Sequence, residues 1–261
     1  MLQIILFSAV AGIFGMGLGG LISAILLKRP SENMICWLLS FAAGVMVSIV
    51  CFGLVPETFE LAGIAVSVIG LIIGTIIVMG LNRLVDTITE KKSGIIKVHE
   101  THEELYHAGG YIRNRTRFLR SGLLMFLAIG LHNVPEGIAI GAGGSHSYQL
   151  GVLLTLMIAL HNIPEGMAIA APLLAGGINK WKVIFITALC GATTLLGGLL
   201  GILIGSISDL AIALSLSAAG GAMLYVVFGE LMPQSIMMTK NRTASVVTLF
   251  GIIVGLFIAQ I

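Results

Sequence analysis

Charged residues are scarce in this chain. Its 14 Lys and Arg and 12 Asp and Glu make up 10% of 261 residues, whereas soluble domains carry about 25%. This shortage excludes an ordinary water-soluble globular domain. The net charge of +2 provides no strongly basic surface, so we expect no nucleic-acid partner.

Cysteine is also rare. The three cysteines, Cys36, Cys51 and Cys190, fall singly in or beside apolar runs. Their spacing forms neither a disulfide framework nor a CxxC metal motif. We therefore expect three thiols buried in apolar surroundings.

Apolar residues dominate the composition instead. They make up 57% of the chain, and the mean hydropathy is +1.06. This is typical of a multi-pass membrane protein, in which about 20 helical residues cross about 30 Å of hydrocarbon. The run from Leu2 to Leu27 lacks a preceding basic region and is too long for a signal-peptide core, so we interpret it as the first span.

The predicted fold is all-α and integral to the membrane. Glycines recur in it at four-residue spacing, as in Gly15/Gly19, Gly70/Gly74 and Gly197/Gly201/Gly205, which predicts close helix packing. Eight spans are expected near residues 2–27, 33–55, 61–81, 119–143, 149–174, 182–206, 210–235 and 243–260.

The basic residues predict the orientation of these spans. All 14 Lys and Arg lie in or beside odd-numbered loops, and the even-numbered loops hold none. Basic residues accumulate in cytoplasmic loops. The odd loops are therefore expected in the cytoplasm, and both termini outside.

The third loop, residues 82–118, is the long one and is expected to be cytoplasmic. It contains "VHETHEELYHAGG", with His99, His102 and His107 among glutamates. One interpretation is a solvated connector. The other is a weak metal-collecting segment, because imidazole and carboxylate both bind borderline metals.

The sequence also repeats itself at an offset of 177 residues. "AAGVMVSIVCFGLVPE" in span two corresponds to "AGGAMLYVVFGELMPQ" in span seven. These spans run in opposite directions, as do spans four and five, so we expect a 3 + 2 + 3 inverted repeat. Such repeats are typical of transporters that bind substrate near the membrane midplane. The identical pairs are Ala42/Ala219, Gly44/Gly221, Met46/Met223, Val50/Val227, Leu54/Leu231 and Pro56/Pro233.

Spans four and five carry nearly the same polar motif, "HNVPEG" and "HNIPEG", near their middles. In each motif His and Glu are four residues apart and share one helix face. We therefore expect His132, Glu136, His161 and Glu165 to converge. Two imidazoles and two carboxylates suit Zn²⁺, Fe²⁺ or Mn²⁺.

The motif asparagines and prolines have separate predicted roles. Asn133 and Asn162 are turned by about 100° from their histidines, toward a neighbouring position. Pro135 and Pro164 cannot donate to the carbonyl four residues earlier, which predicts kinks.

A buried charge at the bilayer centre costs roughly 2.5–3.5 kcal/mol, so a duplicated acidic motif favours a function. Two alternatives without a metal stay open at this point. One is a structural cluster of protonated glutamates bonded to imidazoles, and the other is a proton relay.

The chain resembles the ZIP (Zrt/Irt-like) metal transporters, bacterial branch, over essentially its whole length. The resemblance is carried by "HNVPEG", "HNIPEG", "FAAGVM" from Phe41, "AGGAMLYVVFGELMP" from Ala219, the eight spans and the variable third loop. It implies import of divalent metals through a two-metal site between spans two, four, five and six. For the first metal it implies the ligands His132, Glu136, His161, Glu165 and Met46. For the second it implies Asn133, Asn162 and the same glutamates.

The chain departs from the family pattern in span six. Thr194, in "CGATTLLGG", stands where many members carry a glutamate, which places a full two-metal centre in question. Two acids outside the motif are candidate pathway residues. Glu57 is expected at the outer end of span two and Glu230 near the cytoplasmic end of span seven.

The sequence thus predicts a plasma-membrane importer whose substrates are divalent ions of zinc, iron, manganese, cobalt or cadmium. Metal ions and the lipid bilayer are its expected partners, and a homodimer is among the assemblies considered. One rival is an intramembrane metallohydrolase with Glu136 or Glu165 as general base. Another is a metal sensor that signals through the third loop.

Overall fold

The computed structural model describes residues 2–27, 32–93, 115–146, 148–204, 209–239 and 242–259. These residues form α-helices and three short π-helical segments, and strands are absent from the described ranges. The elements are α1 (Leu2–Ala9), π1 (Val10–Phe14), α2 (Gly15–Leu26), α3 (Glu32–Ile49), π2 (Val50–Leu54), α4 (Val55–Ser93), α5 (Arg115–His146), α6 (Tyr148–Ala175), α7 (Lys180–Ile204), α8 (Asp209–Val226), π3 (Val227–Leu231), α9 (Met232–Met238) and α10 (Thr243–Ala259).

The helices have the length and surface of a multi-pass membrane protein. Six described stretches are long and apolar enough to cross a bilayer, and α10 is a shorter apolar helix of 17 residues. Large apolar side chains such as Ile72, Phe185 and Phe257 are exposed on these helices. Apolar surface this extensive is rare on soluble monomers, and lipid contact accounts for it. The predicted all-α membrane class is confirmed.

One of the six stretches, Asn33–Leu84, has 52 residues. A helix of that length would extend about 78 Å, more than twice the thickness of the hydrocarbon core. The chain breaks at Gly63, whose φ of 79° and ψ of 167° are not helical. Only glycine adopts a positive φ at little cost.

The break lies beyond the predicted boundary of span two at residue 55. The chain stays helical through Pro56 because proline is tolerated in the first turn of α4, where its missing N–H matters least. At its other end α4 continues to Ser93, well past the predicted end of span three.

The π-helical segments π2 and π3 obey the sequence repeat. Adding 177 to the bounds of π2, Val50–Leu54, gives the bounds of π3, Val227–Leu231. Pro56 and Pro233 follow the two segments at equivalent positions and cannot donate to the carbonyls of Phe52 and Gly229. The wider π-helical turn accommodates those unbonded carbonyls in both places.

The expectation for the cysteines holds for two of the three. Cys36 and Cys190 are buried, but Cys51 is exposed on π2. That exposure fits an apolar surface that faces lipid.

The helices pack as two bundles. The motif bundle contains α1, π1, α2, α5, α6 and α7, and the companion bundle contains α3, π2, α4, α8, π3, α9 and α10. Close backbone contacts at glycines hold each bundle together. In the motif bundle, Gly137 lies against the carbonyl of Thr194, and Gly15 leaves room for Ala159 and Asn162. Among the described glycines, such contacts join helices of the same bundle.

The two bundles meet along α3 with α6 and along α5 with α8. A polar cluster also joins them. Arg120 on α5 donates to Oδ1 of Asn82 on α4 at 2.7 Å, and its Nη1 lies 3.7 Å from Oε1 of Glu230 on π3. Asn82 donates in turn to the hydroxyl of Tyr225 at 3.2 Å.

Candidate metal centre

Helices α5 and α6 of the motif bundle bring four ionisable side chains to one place. His132 and Glu136 come from α5, and His161 and Glu165 come from α6. One potential ligand atom from each lies within 4.8 Å of all the others. No side chain of the four is more than 2% exposed. We refer to these residues as the His/Glu cluster.

The Oε1 atom of Glu136 is the centre of this cluster. It lies 2.6 Å from Nε2 of His161 and 2.9 Å from Nε2 of His132. Nε2 of His132 also lies 3.3 Å from Oε1 of Glu165, a longer and weaker contact. Both imidazoles therefore turn their Nε2 atoms toward the carboxylates.

The cluster has the donor set and spacing that a divalent transition metal requires. Ligand atoms around a tetrahedral zinc ion lie about 3.4 Å apart, because each bond is about 2.1 Å. Small side-chain shifts from the observed 2.6–3.3 Å separations reach that spacing. A bound cation also neutralises two carboxylates that have no buried Lys or Arg among the ion pairs described here.

Several buried polar atoms at the cluster have no hydrogen-bond partner among the described residues. An unpartnered buried polar atom costs about 1–3 kcal/mol, and a charged one costs more. Ligand atoms for a cation explain this unusual concentration. The atoms are Nδ1 of His132, Nδ1 of His161, Oε2 of Glu136 and Oε2 of Glu165.

The motif asparagines form the next layer, together with span six. Asn133 and Asn162 are fully buried, and Asn162 donates from Nδ2 to the carbonyl of Ala11 in π1 at 2.9 Å. The following residue, Gly12, has no room for a side chain: a Cβ there would lie 2.7 Å from Oγ1 of Thr194. Adjacent residues of π1 thus contact both Asn162 and Thr194. This contact brings Thr194 to the asparagine side of the cluster.

The other predicted site residues lie outside the four-residue group. Met46 is fully buried on α3, which packs against α6, and its ligand role stays a prediction. Glu57 is exposed in the first turn of α4, and Glu230 faces Arg120. The loop histidines His99, His102 and His107 lie outside the described residues.

Two features of the site region were missed by the sequence analysis. The carbonyl of Ala11 is a main-chain acceptor, so its side-chain type gives no signal. The partners of Glu230, by contrast, are polar residues at the ends of predicted spans. Arg120 and Asn82 were used only to orient or bound those spans, although a charged pair near a membrane interface is a usable signal.

A deeply buried His/Glu cluster, duplicated on two neighbouring helices of a lipid-exposed bundle, defines a membrane protein that handles metal ions. Comparison with known sequences gives the family. The family profile described as "ZIP Zinc transporter" matches residues 82–260.

Individual relatives agree with the profile and cover nearly the whole chain. "Zinc transporter ZupT" of Corynebacterium glutamicum is 33% identical over 255 residues, which are 94% of this chain and 92% of the relative. "Zinc transporter ZupT" of Salmonella paratyphi A is 32% identical over 249 residues, with 92% and 88% covered. The same protein of Salmonella newport is 31% identical over 249 residues.

The chain belongs to the ZIP family of metal transporters. The resemblance seen in the motifs is thereby confirmed. Because the family and its named relatives are transporters, the metallohydrolase alternative falls.

Proposed function

We propose that the protein imports divalent transition metal ions, zinc among them, into the cytoplasm through the His/Glu cluster. The observation that carries the proposal is the convergence of His132, Glu136, His161 and Glu165 at a fully buried point between α5 and α6. The matching relatives are named zinc transporters, which supports zinc as one substrate.

The cluster replaces the water that an incoming ion loses. Imidazole nitrogens and carboxylate oxygens are ligands that zinc, iron, manganese and cobalt share, so this donor set favours a group of metals rather than one. In the metal-free cluster the 2.6 Å and 2.9 Å contacts between imidazole and carboxylate each require a proton. Metal binding displaces those protons, and acid conditions favour metal release.

We propose a second cation position beside the first, on the side of Asn133, Asn162 and Thr194. Asn133 has both amide atoms unpartnered, and Oδ1 of Asn162 and Oγ1 of Thr194 are unpartnered as well, among the described residues. These are neutral oxygen donors, weaker than carboxylate, so the second ion binds less tightly than the first. Oε2 of Glu136 and Oε2 of Glu165 are available as bridging ligands.

A matched pair of threonines tests the second position. Thr194→Val removes the unpartnered hydroxyl, whereas Thr193→Val removes a hydroxyl that bonds its own helix at the carbonyl of Cys190 at 2.7 Å. We expect Thr194→Val to weaken the second Cd²⁺ in a titration of the purified protein and Thr193→Val to leave it unchanged. Equal binding by both variants contradicts a role for Thr194.

The packing supports the 3 + 2 + 3 inverted repeat. In the companion bundle, Gly44 lies against the carbonyl of Thr248, and Gly221 lies against the carbonyl of Leu71. These two contacts exchange when 177 is added to one residue and subtracted from the other.

The same relation links two further contacts, Gly251 with Phe41 and Gly74 with Ala218. In the motif bundle, Gly137 on α5 meets Thr194, and Gly166, its equivalent on α6, meets Met16. A local sequence likeness alone does not predict such paired tertiary contacts. We therefore retain eight crossings, with the chain crossing twice between Asn33 and Leu84.

We place the odd loops in the cytoplasm and both termini outside, in the plasma membrane, because all 14 basic residues lie on one side of these crossings. Glu57 then lies at the outer face, where an exposed carboxylate attracts cations. The Arg120–Glu230 pair lies at the cytoplasmic side, where it joins the two bundles. We propose that the bundles rearrange relative to each other, because their tight glycine contacts are internal.

Metal accumulation by cells tests the proposed function. Cells expressing the wild-type protein are expected to accumulate zinc and one or more of iron, manganese, cobalt and cadmium. The double variant Glu136→Ala/Glu165→Ala is expected to show the background level, and Glu60→Ala, at an exposed acid outside the cluster, is the control. Equal uptake by the wild type and the double variant for every metal contradicts the proposal.

Two further parts of the proposal have tests of their own. Replacing His99, His102 and His107 together by Ala is expected to slow uptake at low external metal concentration if the third loop collects ions. An unchanged rate assigns those histidines to a solvated connector. A homodimer is tested by the mass of the purified protein in detergent.

A further inference from the structure

We propose that π1 positions Asn162 as an oxygen donor: the carbonyl of Ala11 holds the amide nitrogen, and Oδ1 is thereby presented to the cation. This inference rests on the proposed function, since the cation in question is the second transported ion. It assigns a role to the first helix, which contributes no residue to the His/Glu cluster. Ala11 is a positioning residue that acts through Asn162.

The backbone of π1 makes the carbonyl of Ala11 available. In a regular α-helix the N–H of Gly15 donates to the carbonyl four residues earlier, which is that of Ala11. Here Gly15 donates to Val10 and Gly12. The carbonyl of Ala11 accepts instead from Nδ2 of Asn162, at 2.9 Å. The π-helical turn therefore exchanges a main-chain bond for a bond to a motif side chain.

This bond fixes which end of the amide faces the site. A side-chain amide has two donors on nitrogen and an acceptor oxygen, and a carbonyl partner selects the nitrogen. Oδ1 of Asn162 then lies at the other end of the amide, and it has no hydrogen-bond partner among the described residues. A fully buried amide that is held at one end and unpartnered at the other is arranged as a ligand.

Two glycines permit π1 to approach this closely. A Cβ on Gly12 would meet the carbonyl of Gly191, and a Cβ on Gly15 would lie 2.9 Å from Cβ of Asn162. Both positions face helices of the motif bundle. The close approach is thus written into the sequence by residue size, and it places π1 against α6 and α7 together.

The equivalent asparagine on α5 lacks this arrangement. Asn133 is equally buried, but neither of its amide atoms has a partner among the described residues. The two motifs are therefore alike in sequence and different in their surroundings. Asn162 has a fixed amide, whereas the amide of Asn133 is turned by whatever binds it. This difference supplies a matched pair of variants.

The test replaces each asparagine by aspartate, as Asn162→Asp and Asn133→Asp. A carboxylate has acceptors at both ends, so at position 162 one oxygen would face the carbonyl of Ala11. We expect Asn162→Asp to melt several degrees below wild type in the presence of a chelator, and to bind the second Cd²⁺ at least 10-fold more weakly. We expect Asn133→Asp to melt as wild type does and to bind the second Cd²⁺ as tightly or more tightly.

Acid supplies a signature that a general packing defect lacks. Below the pH at which the introduced carboxyl group takes up a proton, its O–H donates to the carbonyl of Ala11 and restores the bond. The melting temperature of Asn162→Asp in chelator should then rise toward that of wild type. If this variant cannot be purified, Asn162→Ser keeps a donor but no amide oxygen. Wild-type affinity of that variant for the second Cd²⁺ overturns the inference.

The outcomes separate this inference from the function on which it rests. Equal melting temperatures and equal Cd²⁺ affinities for Asn162→Asp and Asn133→Asp overturn the positioning role of π1. A wild-type protein that binds a single Cd²⁺ ion overturns the second cation position instead. Even then, the melting temperatures in chelator decide whether the carbonyl of Ala11 holds Asn162.

Discussion

The two glutamates of the cluster are predicted to have opposite effects on the metal-free protein. Oε1 of Glu136 is within 2.9 Å of two imidazole nitrogens. Glu165 is equally buried, but its nearest imidazole contact is 3.3 Å, and neither of its oxygens has a hydrogen bond among the described residues. Glu165 therefore has the larger uncompensated desolvation cost when no metal is bound.

Glu165→Gln removes this charge and keeps the shape of the side chain. We expect a gain of about 1–2 kcal/mol in the metal-free state, since an unsatisfied buried group costs about 1–3 kcal/mol and the amide remains partly unsatisfied. For a chain of this size each kcal/mol corresponds to about 2–4 °C. The variant should therefore melt roughly 5 °C above wild type in a chelator.

Zinc should reverse that order. Wild type gains about 2.7 kcal/mol at a zinc concentration of about 100 times the dissociation constant, whereas the variant has lost a ligand and gains far less. The assay is a melting curve of purified protein in detergent, with chelator and with zinc, and Glu60→Gln at an exposed position is the control. A Glu165→Gln variant that melts below wild type in chelator refutes the reasoning, because the buried charge would then be stabilising.

Three further predictions follow from the described contacts. Zinc binding should release protons, so its calorimetric enthalpy should vary with the ionisation enthalpy of the buffer and its affinity should fall as the pH is lowered; a buffer-independent enthalpy contradicts the protonated His/Glu contacts. Gly137→Ala should cost about 1–3 kcal/mol because its Cβ meets the carbonyl of Thr194, while Gly80→Ala, with nothing within 4 Å, should gain up to about 1 kcal/mol from helix propensity. In melting curves, Arg120→Gln and Glu230→Gln should each be destabilising, with a combined effect smaller than their sum, whereas strict additivity shows that the 3.7 Å pair is not coupled.

Much of the site could be predicted because it depends on local spacing. His and Glu at a separation of four residues share a helix face whatever the helix packs against. The near-identity of the motifs around His132 and His161 then placed both sets at one depth. Composition and basic residues gave the helical class in the same way.

The remaining features depend on tertiary contacts, which spacing along one helix does not contain. The break after span two is at Gly63 rather than at Pro56, because a proline in the first turn of a helix is compatible with helical geometry. The π-helical segments and the bond from Asn162 to Ala11 arise where two backbones approach each other. The pairing of Glu230 with Arg120 likewise joins residues far apart in sequence.

The repeat is an intermediate case. Its sequence signal was a set of six identities at an offset of 177 residues, a number that apolar segments can reach by chance. The bounds of π2 and π3 and the exchanged glycine contacts follow the same offset. A weak sequence likeness therefore became a strong argument only when the contacts between helices were known.

The central claim is that the His/Glu cluster is the point through which metal ions pass. The most direct measurement is zinc flux into proteoliposomes that enclose a zinc-sensitive dye, with wild type compared with Glu136→Gln/Glu165→Gln at equal reconstituted amounts. Wild type is predicted to move zinc down its gradient, and the double variant to match empty liposomes while keeping a folded melting transition. A double variant that transports zinc at the wild-type rate would contradict the account.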